Sequence, residues 1–386
     1  MTRSDQGDAV GSPRHRNSES RLGRLGAWFT GWQVKPRLEV GSGRESLGLL
    51  VGLTSSFGVC GLLIVLAGNN VFTAYGSLLS GSFGSKYAIY ETLVQATPLI
   101  LTGLAAAVAF RARIWNIGGE GQFFAGTMGA FWVGNQWGEG LSSGAIIPLL
   151  IIGAACAGAI WGAIPGILKA RFETNEIITT VMMNFLIVYI MSYLLSDPWR
   201  APDTYYYQTS RLPQSTYIPK IFSGSRLHWG FVLAVGCLLF IWWLINSTTF
   251  GFEARALGVN RLAAGYAGIG VQKTTVLVMA VSGALAGVAG GVEVAALHHR
   301  LTMDLNTAGY GFAGIIVALL ARLKPWAVII AAIGFGGLRN GAIKMQISTG
   351  IPEALVSVVQ GLTLLFVLIF AVAVRYEFRR ADIGEA

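Results

Sequence analysis

Apolar runs long enough to cross a lipid bilayer recur along this chain, and they leave few folds open to it. Leu47–Ala67, Ile146–Leu168 and Ala354–Val374 hold no charged residue, and a helix needs about 20 mostly apolar residues to traverse the hydrocarbon core. A β-barrel would instead alternate apolar and polar positions in short segments. These runs are continuous, so helices are expected. Composition agrees, because only 12% of the 386 residues are charged, about half of what a soluble domain uses to cover its surface. The expected fold class is all-α, a polytopic protein embedded in the lipid bilayer.

Ten spans are expected, near 47–67, 91–110, 119–135, 145–168, 176–195, 228–246, 273–293, 306–321, 325–340 and 354–374. The third and ninth are short enough to be tilted, broken or partly re-entrant. With the N-terminus inside, the cytoplasmic segments carry 20 of the 28 Lys and Arg residues, counting Lys273 at the membrane edge. Basic loops stay in the cytoplasm, so both termini are expected there. The net charge of +9 then belongs to those loops, and no nucleic-acid partner is implied. Ten spans divide into two sets of five, and an odd number per set would make any internal repeat an inverted one. Both halves carry a glycine-rich polar interruption, Asn116–Gln122 and Thr307–Gly314.

The organisation expected is a cytoplasmic arm over 1–46, a membrane domain over 47–375 and a cytoplasmic tail over 376–386. The arm is polar and mostly disordered, with an interfacial helix expected over 21–34, where Leu22, Leu25, Trp28, Phe29 and Trp32 recur at helical spacing. The external segment 196–227 carries Tyr205, Tyr206 and Tyr207. It reads either as a cap with an interfacial helix or as a plain loop with interfacial aromatics. Gly158, Gly162 and Gly166 share one helix face, as do Gly283, Gly287 and Gly291, and small residues let membrane helices approach closely. Cys60, Cys156 and Cys237 show no disulfide or metal spacing.

Polar groups inside apolar spans need a partner or a purpose. Asn116, Glu120, Gln122, Asn184, Glu293 and Gln360 stand in or beside spans, and Glu91 opens the second. Taken singly, each is most simply an interhelical hydrogen bonder. Together they would line a hydrophilic path for a polar solute. The cytoplasmic segment 247–272 is more distinctive. Within Phe250–Ile269, Glu253 to Leu257 favours helix, Gly258 can end it with positive φ, and Asn260 can cap a second helix from Arg261. Leu257, Leu262 and Tyr266 would be apolar anchors of this knob, and Glu253, Arg255 and Arg261 its rim charges. No phosphate-binding G-x-x-x-x-G-K-[ST] loop occurs. Neither a metal site nor a catalytic set can be assembled, so no cofactor and no enzymatic activity of its own are expected.

Several motifs together resemble one family. They are Asn116-Ile-Gly-Gly-Glu-Gly-Gln122, Thr174-Asn-Glu-Ile-Ile-Thr-Thr-Val-Met-Met-Asn184, Arg255-Ala-Leu-Gly-Val-Asn260 with Ala263-Ala264, Gly309-Tyr-Gly-Phe-Ala-Gly-Ile-Ile-Val-Ala-Leu-Leu320, and Gln360-Gly361 before an apolar run. The chain is similar over about 45–375 to the permeases of bacterial ABC importers for nucleosides and simple sugars, relatives of the ribose and branched-chain amino-acid permeases. Gly119 is a mild departure from the nucleoside branch. The resemblance implies a translocation path for a nucleoside, or for a simple sugar in the alternative. It also implies a separate ATPase subunit, a second permease that is a different chain, and an external substrate-binding lipoprotein. The family's coupling loop maps onto Phe250–Ile269. From composition alone, an ATP-independent channel or secondary transporter stays open. The location implied is the bacterial inner membrane.

Overall fold

The computed structural model describes residues 32–36, 42–303, 305, 309–352 and 354–380. Its helices are α1 Ser42–Leu66, α2 Val71–Phe83, α3 Lys86–Arg111, α4 Gly119–Trp137, α5 Ser143–Phe172, α6 Glu176–Ser196 and α7 Gly230–Ser247. They continue as α8 Thr249–Val259, α9 Arg261–Tyr266, α10 Val271–Glu293, α11 Tyr310–Leu320, α12 Pro325–Thr349 and α13 Ala354–Arg375. Each of the ten expected spans coincides with a helix over most of its described residues, the eighth with α11 from Tyr310. Side chains at the turns set where several begin. Asn70 Oδ1 accepts from the amides of Phe72 and Thr73 at α2, Ser85 Oγ from Ala88 at α3, and Asn175 Oδ1 from Ile177 and Ile178 at α6. Each satisfies donors that a helix start leaves open.

Two compact units divide the chain, one of Met1–Gly52 with Val367–Ala386 and one of Leu53–Phe366. In the first, β1 (Trp32–Pro36) pairs antiparallel with β2 (Tyr376–Arg380), Trp32 opposite Arg380 and Pro36 opposite Tyr376. The helix expected over 21–34 therefore fails at its end, where 32–34 are extended and paired. Its remaining residues lie outside the described ones. Outside this ribbon the all-α class holds.

In the second unit the middle is held by α3 and α10, whose most apolar windows are 89% and 72% buried. The same windows of α5, α6 and α7 are 22%, 22% and 28% buried. Their outer faces carry Ile152, Ile160, Phe185, Tyr189 and Trp243, the apolar surface that a helix presents to lipid. The two glycine stripes meet each other. A Cβ on Gly158 would sit 2.3 Å from the Gly283 carbonyl oxygen, and one on Gly287 2.3 Å from that of Ala154. Backbones this close leave no room for a side chain, so the stripes are packing surfaces between α5 and α10.

Two elements depart from expectation. Helix α2 falls between the first and second expected spans, where hydropathy gives no signal, because 13 residues with three Ser and two Gly are too short to span. It packs on α12, where Ser82 Oγ donates to the Gly337 carbonyl at 2.6 Å and Asn340 Nδ2 to that of Gly81 at 2.9 Å. The ninth span is not short. α12 runs unbroken from Pro325 to Thr349 and keeps Arg339 inside it. The segment 196–227, expected outside, holds a single 3-10 turn, Gln214–Thr216, and no longer helix. It is strapped to the turn after α10 by Thr209 N–H to the Leu301 carbonyl, 3.1 Å, and Leu212 N–H to that of His299, 2.8 Å.

Candidate translocation and coupling sites

Between α3 and α4, residues 112–118 turn back into the protein without regular structure, and α4 starts there in the packed interior. Its first backbone donors and the preceding carbonyls need partners away from water. Asn184 on α6 supplies two contacts: its Oδ1 accepts from Gly121 N–H at 2.8 Å, and its Nδ2 donates to the Ile117 carbonyl at 3.0 Å. Asn116 Nδ2 donates to Gln122 Oε1 and to Ser282 Oγ, both at 2.9 Å. Gln122 Nε2 donates back to Asn116 Oδ1 at 3.1 Å. Ser282 Oγ passes the chain on to the Ala105 carbonyl at 2.7 Å. Asn116, Gln122 and Asn184 are all buried.

Glu120 joins the two interrupted regions that the sequence singles out. Its Oε2 accepts from Gly311 N–H at 2.6 Å, at the start of α11. A carboxylate there satisfies an open amide and faces the positive end of the helix. A Cβ on Gly311 would meet the Glu120 backbone nitrogen at 2.1 Å, so only glycine lets the two helix starts touch. Glu120 Oε1 has no hydrogen-bond partner among the described residues. Four of the six sequence-predicted path residues thus gather at the start of α4.

Glu293 belongs to a second cluster with different members. The Tyr310 hydroxyl lies 3.0 Å from Gln95 Oε1 and 3.5 Å from Glu293 Oε1. His298 Nε2 is 3.5 Å from the same carboxylate. The Arg339 guanidinium stacks over the Tyr310 ring, 4.4 Å from its centroid, a favourable cation–π arrangement. Among the described residues Arg339 forms no ion pair. Nearby, Glu91 is held by Arg226, Nη2 to Oε2 at 2.9 Å. Gln360 falls on α13, and its side chain lies outside the described residues.

The knob over Phe250–Ile269 is two helices, α8 and α9, as expected, but it bends elsewhere. Gly258 stays helical and has no positive φ. The break falls at Asn260, which is extended and whose Oδ1 accepts from Leu262 and Ala263 amides at 3.0 and 3.1 Å. Gly258 is needed for close approach, since a Cβ there would lie 2.1 Å from the Arg111 carbonyl oxygen. Leu257 is buried within this chain and is not free to anchor a partner. Glu253 and Arg255 also face inward. Glu253 Oε2 accepts from Thr274 Oγ1 at 2.9 Å, and Arg255 Nη1 donates to the Ile245 carbonyl. Leu262 and Tyr266 are 76% and 93% exposed, with Val259 at 77% beside them.

Residues 88–368 match the family described as branched-chain amino acid transport system / permease component. The chain belongs to this family. The guanosine ABC transporter permease NupP of Bacillus subtilis (strain 168) is 39% identical over 323 residues, covering 83% of this permease and 91% of that relative. The nucleoside ABC transporter permease NupB of Lactococcus lactis subsp. cremoris (strain MG1363) is 32% identical over 335 residues, 84% and 91% of the two chains. The glucose ABC transporter permease TsgB13 of Haloferax volcanii is 31% identical over 325 residues, 81% and 84%.

Sequence reasoning missed Gln95, Tyr310 and Arg339 in this permease. Gln95 lay among apolar neighbours, and Tyr310 was absorbed in a glycine-rich motif. Arg339 was placed at the outer end of a span drawn too short. The signal available was its charge, which an unbroken Pro325–Thr349 helix puts well inside the helix rather than at its end.

Proposed function

We propose that this permease forms half of the translocation path of an ATP-driven importer and that its solute is a nucleoside. The observation that carries this reading is the likeness to nucleoside permeases of two bacteria along more than four-fifths of the chain. ATP is hydrolysed on a separate subunit that grips Val259, Leu262 and Tyr266. A second permease, a different chain, completes the path, and an external lipoprotein delivers the solute. The protein lies in the bacterial inner membrane with both termini in the cytoplasm. The pairing of β1 with β2 supports this by bringing residues near the two chain ends together.

Within the path, the solute passes Glu293, with Gln95, Tyr310, His298 and Arg339 around it. These groups offer donors, acceptors and an aromatic face together, which suits a heterocyclic base joined to a sugar. Asn116, Glu120, Gln122 and Asn184 frame that route by fixing where α4 and α11 begin. Gln360 remains a proposed path residue on α13.

A sugar is the second reading, favoured by the glucose permease relative. Uptake into proteoliposomes holding both permeases, the ATPase and the lipoprotein separates the two. Labelled guanosine is expected to accumulate with ATP and to be competed by unlabelled nucleosides. Accumulation of glucose without guanosine would overturn the nucleoside assignment.

A further inference from the structure

A cavity of about 250 Å³ opens where the knob meets the membrane body. It is lined by Ala112, Arg113 and Ile114, by Lys169 and Glu176, and by Leu257 to Val259, Arg261 and Thr275. Three of these residues are basic and one is acidic. Lys169 Nζ and Glu176 Oε2 pair at 2.9 Å, and that pair leaves the cavity its two guanidinium groups. Neither Arg113 nor Arg261 has an ion-pair partner among the described residues. Arg113 is held at φ 54°, a conformation uncommon for a side-chain-bearing residue and found disproportionately at binding sites. Two arginines without an ion-pair partner among the described residues thus line one concave space, and a guanidinium's planar donors suit phosphate oxygens.

We infer that this cavity binds a phosphate group, bridging Arg113 before α4 to Arg261 at the start of α9. The phosphate would come either from a soluble phosphate monoester or from an anionic lipid headgroup. Its cytoplasmic position rests on the orientation proposed above, but the binding itself does not. The two arginines lie on different elements, one leading into the interior start of α4 and one on the exposed knob. An anion held between them would tie the coupling loop to the segment that frames the path. The site would thereby let the cytoplasmic supply of phosphorylated compounds, or the lipid, set how freely the knob moves.

The test uses the full chain in phosphatidylcholine nanodiscs, where both faces meet solvent and no transport is required. Binding of guanosine monophosphate and inorganic phosphate is measured calorimetrically, with guanosine as the phosphate-free control. Native mass spectrometry of the chain from phosphatidylglycerol-containing discs reads lipid retention. Arg113→Gln and Arg261→Gln are each expected to weaken binding of the phosphate source about tenfold or more, the loss of a charge-assisted hydrogen bond. Arg171→Gln, a basic residue of the neighbouring groove, is expected to leave it unchanged. Binding of guanosine monophosphate and inorganic phosphate that both pocket variants lose supports the soluble source, and retained phosphatidylglycerol lost in both pocket variants supports the lipid. The inference is overturned if neither source binds, if Arg113→Gln and Arg261→Gln leave that binding unchanged, or if Arg171→Gln weakens binding as much as the pocket variants. None of these outcomes depends on which solute is imported.

Discussion

Glu120 and Arg339 are both charges inside an apolar bundle, yet their surroundings assign them different work. Glu120 Oε2 accepts from the first turn of α11, and the amide it serves would be buried and open without it. Glu120→Ala is therefore expected to destabilise the chain by about 1–3 kcal/mol, while Glu120→Gln keeps an acceptor oxygen and most of the stability. Thermal unfolding of the three proteins in one detergent checks the order. Near-normal stability of Glu120→Ala with abolished uptake would move Glu120 from the frame to the path. Arg339 makes no ion pair among the described residues and lies on the Tyr310 ring. Arg339→Gln should fold, since it breaks no direct ion pair among the described residues, but it should lower nucleoside uptake at least tenfold at equal membrane abundance. Unchanged uptake would take Arg339 off the route. Asn116, Glu120 and Gln122 were legible as polar groups amid glycines, and Asn184 as a lone amide between apolar residues in mid-span. Their partners were not, because Ser282 and the Gly311 amide are brought to them only by the tertiary fold.

At the scale of elements, the long helices were readable wherever hydropathy carried the signal. Ten segments drawn from apolar runs are helices, and the paired glycine stripes predicted close packing that the structure contains. What failed was local. Helix α2 owes its place to hydrogen bonds from its Ser82 hydroxyl to Gly337 and to its Gly81 carbonyl from Asn340 of α12, which no period in its own sequence encodes. The knob bends at Asn260 because that side chain satisfies two amides of the next helix, whereas Gly258 serves contact with the end of α3. This changes what substitutions there should do. Gly258→Val places carbon atoms on the Arg111 carbonyl and should lower folded abundance, and Gly258→Ala should already be harmful. Leu262→Asp alters an exposed side chain and should leave abundance unchanged while abolishing co-purification of the ATPase. If Leu262→Asp retains the ATPase and transports normally, the knob is not the coupling element. Measuring abundance, association and uptake together distinguishes the two mechanisms, because misfolding lowers all three and loss of docking only the last two.

For the whole molecule, basic charge and the paired chain ends act on the same property, the way the bundle faces in the bilayer. The basic residues divide 20 to 8 between the two sides in the proposed orientation, and the arm alone supplies 8 of the 20. The charge rule acts through segments near the membrane, so the far part of the arm should weigh little. Reporter fusions near residues 210 and 260 are expected on opposite sides, the first outside. The ribbon adds a constraint that charge counting does not contain. A strand of five residues at Trp32–Pro36 hydrogen-bonds to Tyr376–Arg380, and paired backbones must lie on one side of the bilayer. An isolated two-stranded ribbon is marginal in water, so its persistence depends on both partners being tethered where they meet. Removing residues 1–20 leaves β1 intact and should preserve uptake at matched abundance. Removing residues 1–36 deletes β1, exposes the edge of β2 and should increase proteolysis of the tail after Arg375. If both deletions behave alike in uptake and in tail cleavage, the ribbon has no bearing on how the ends are held, and the basic loops within the membrane domain alone fix the orientation.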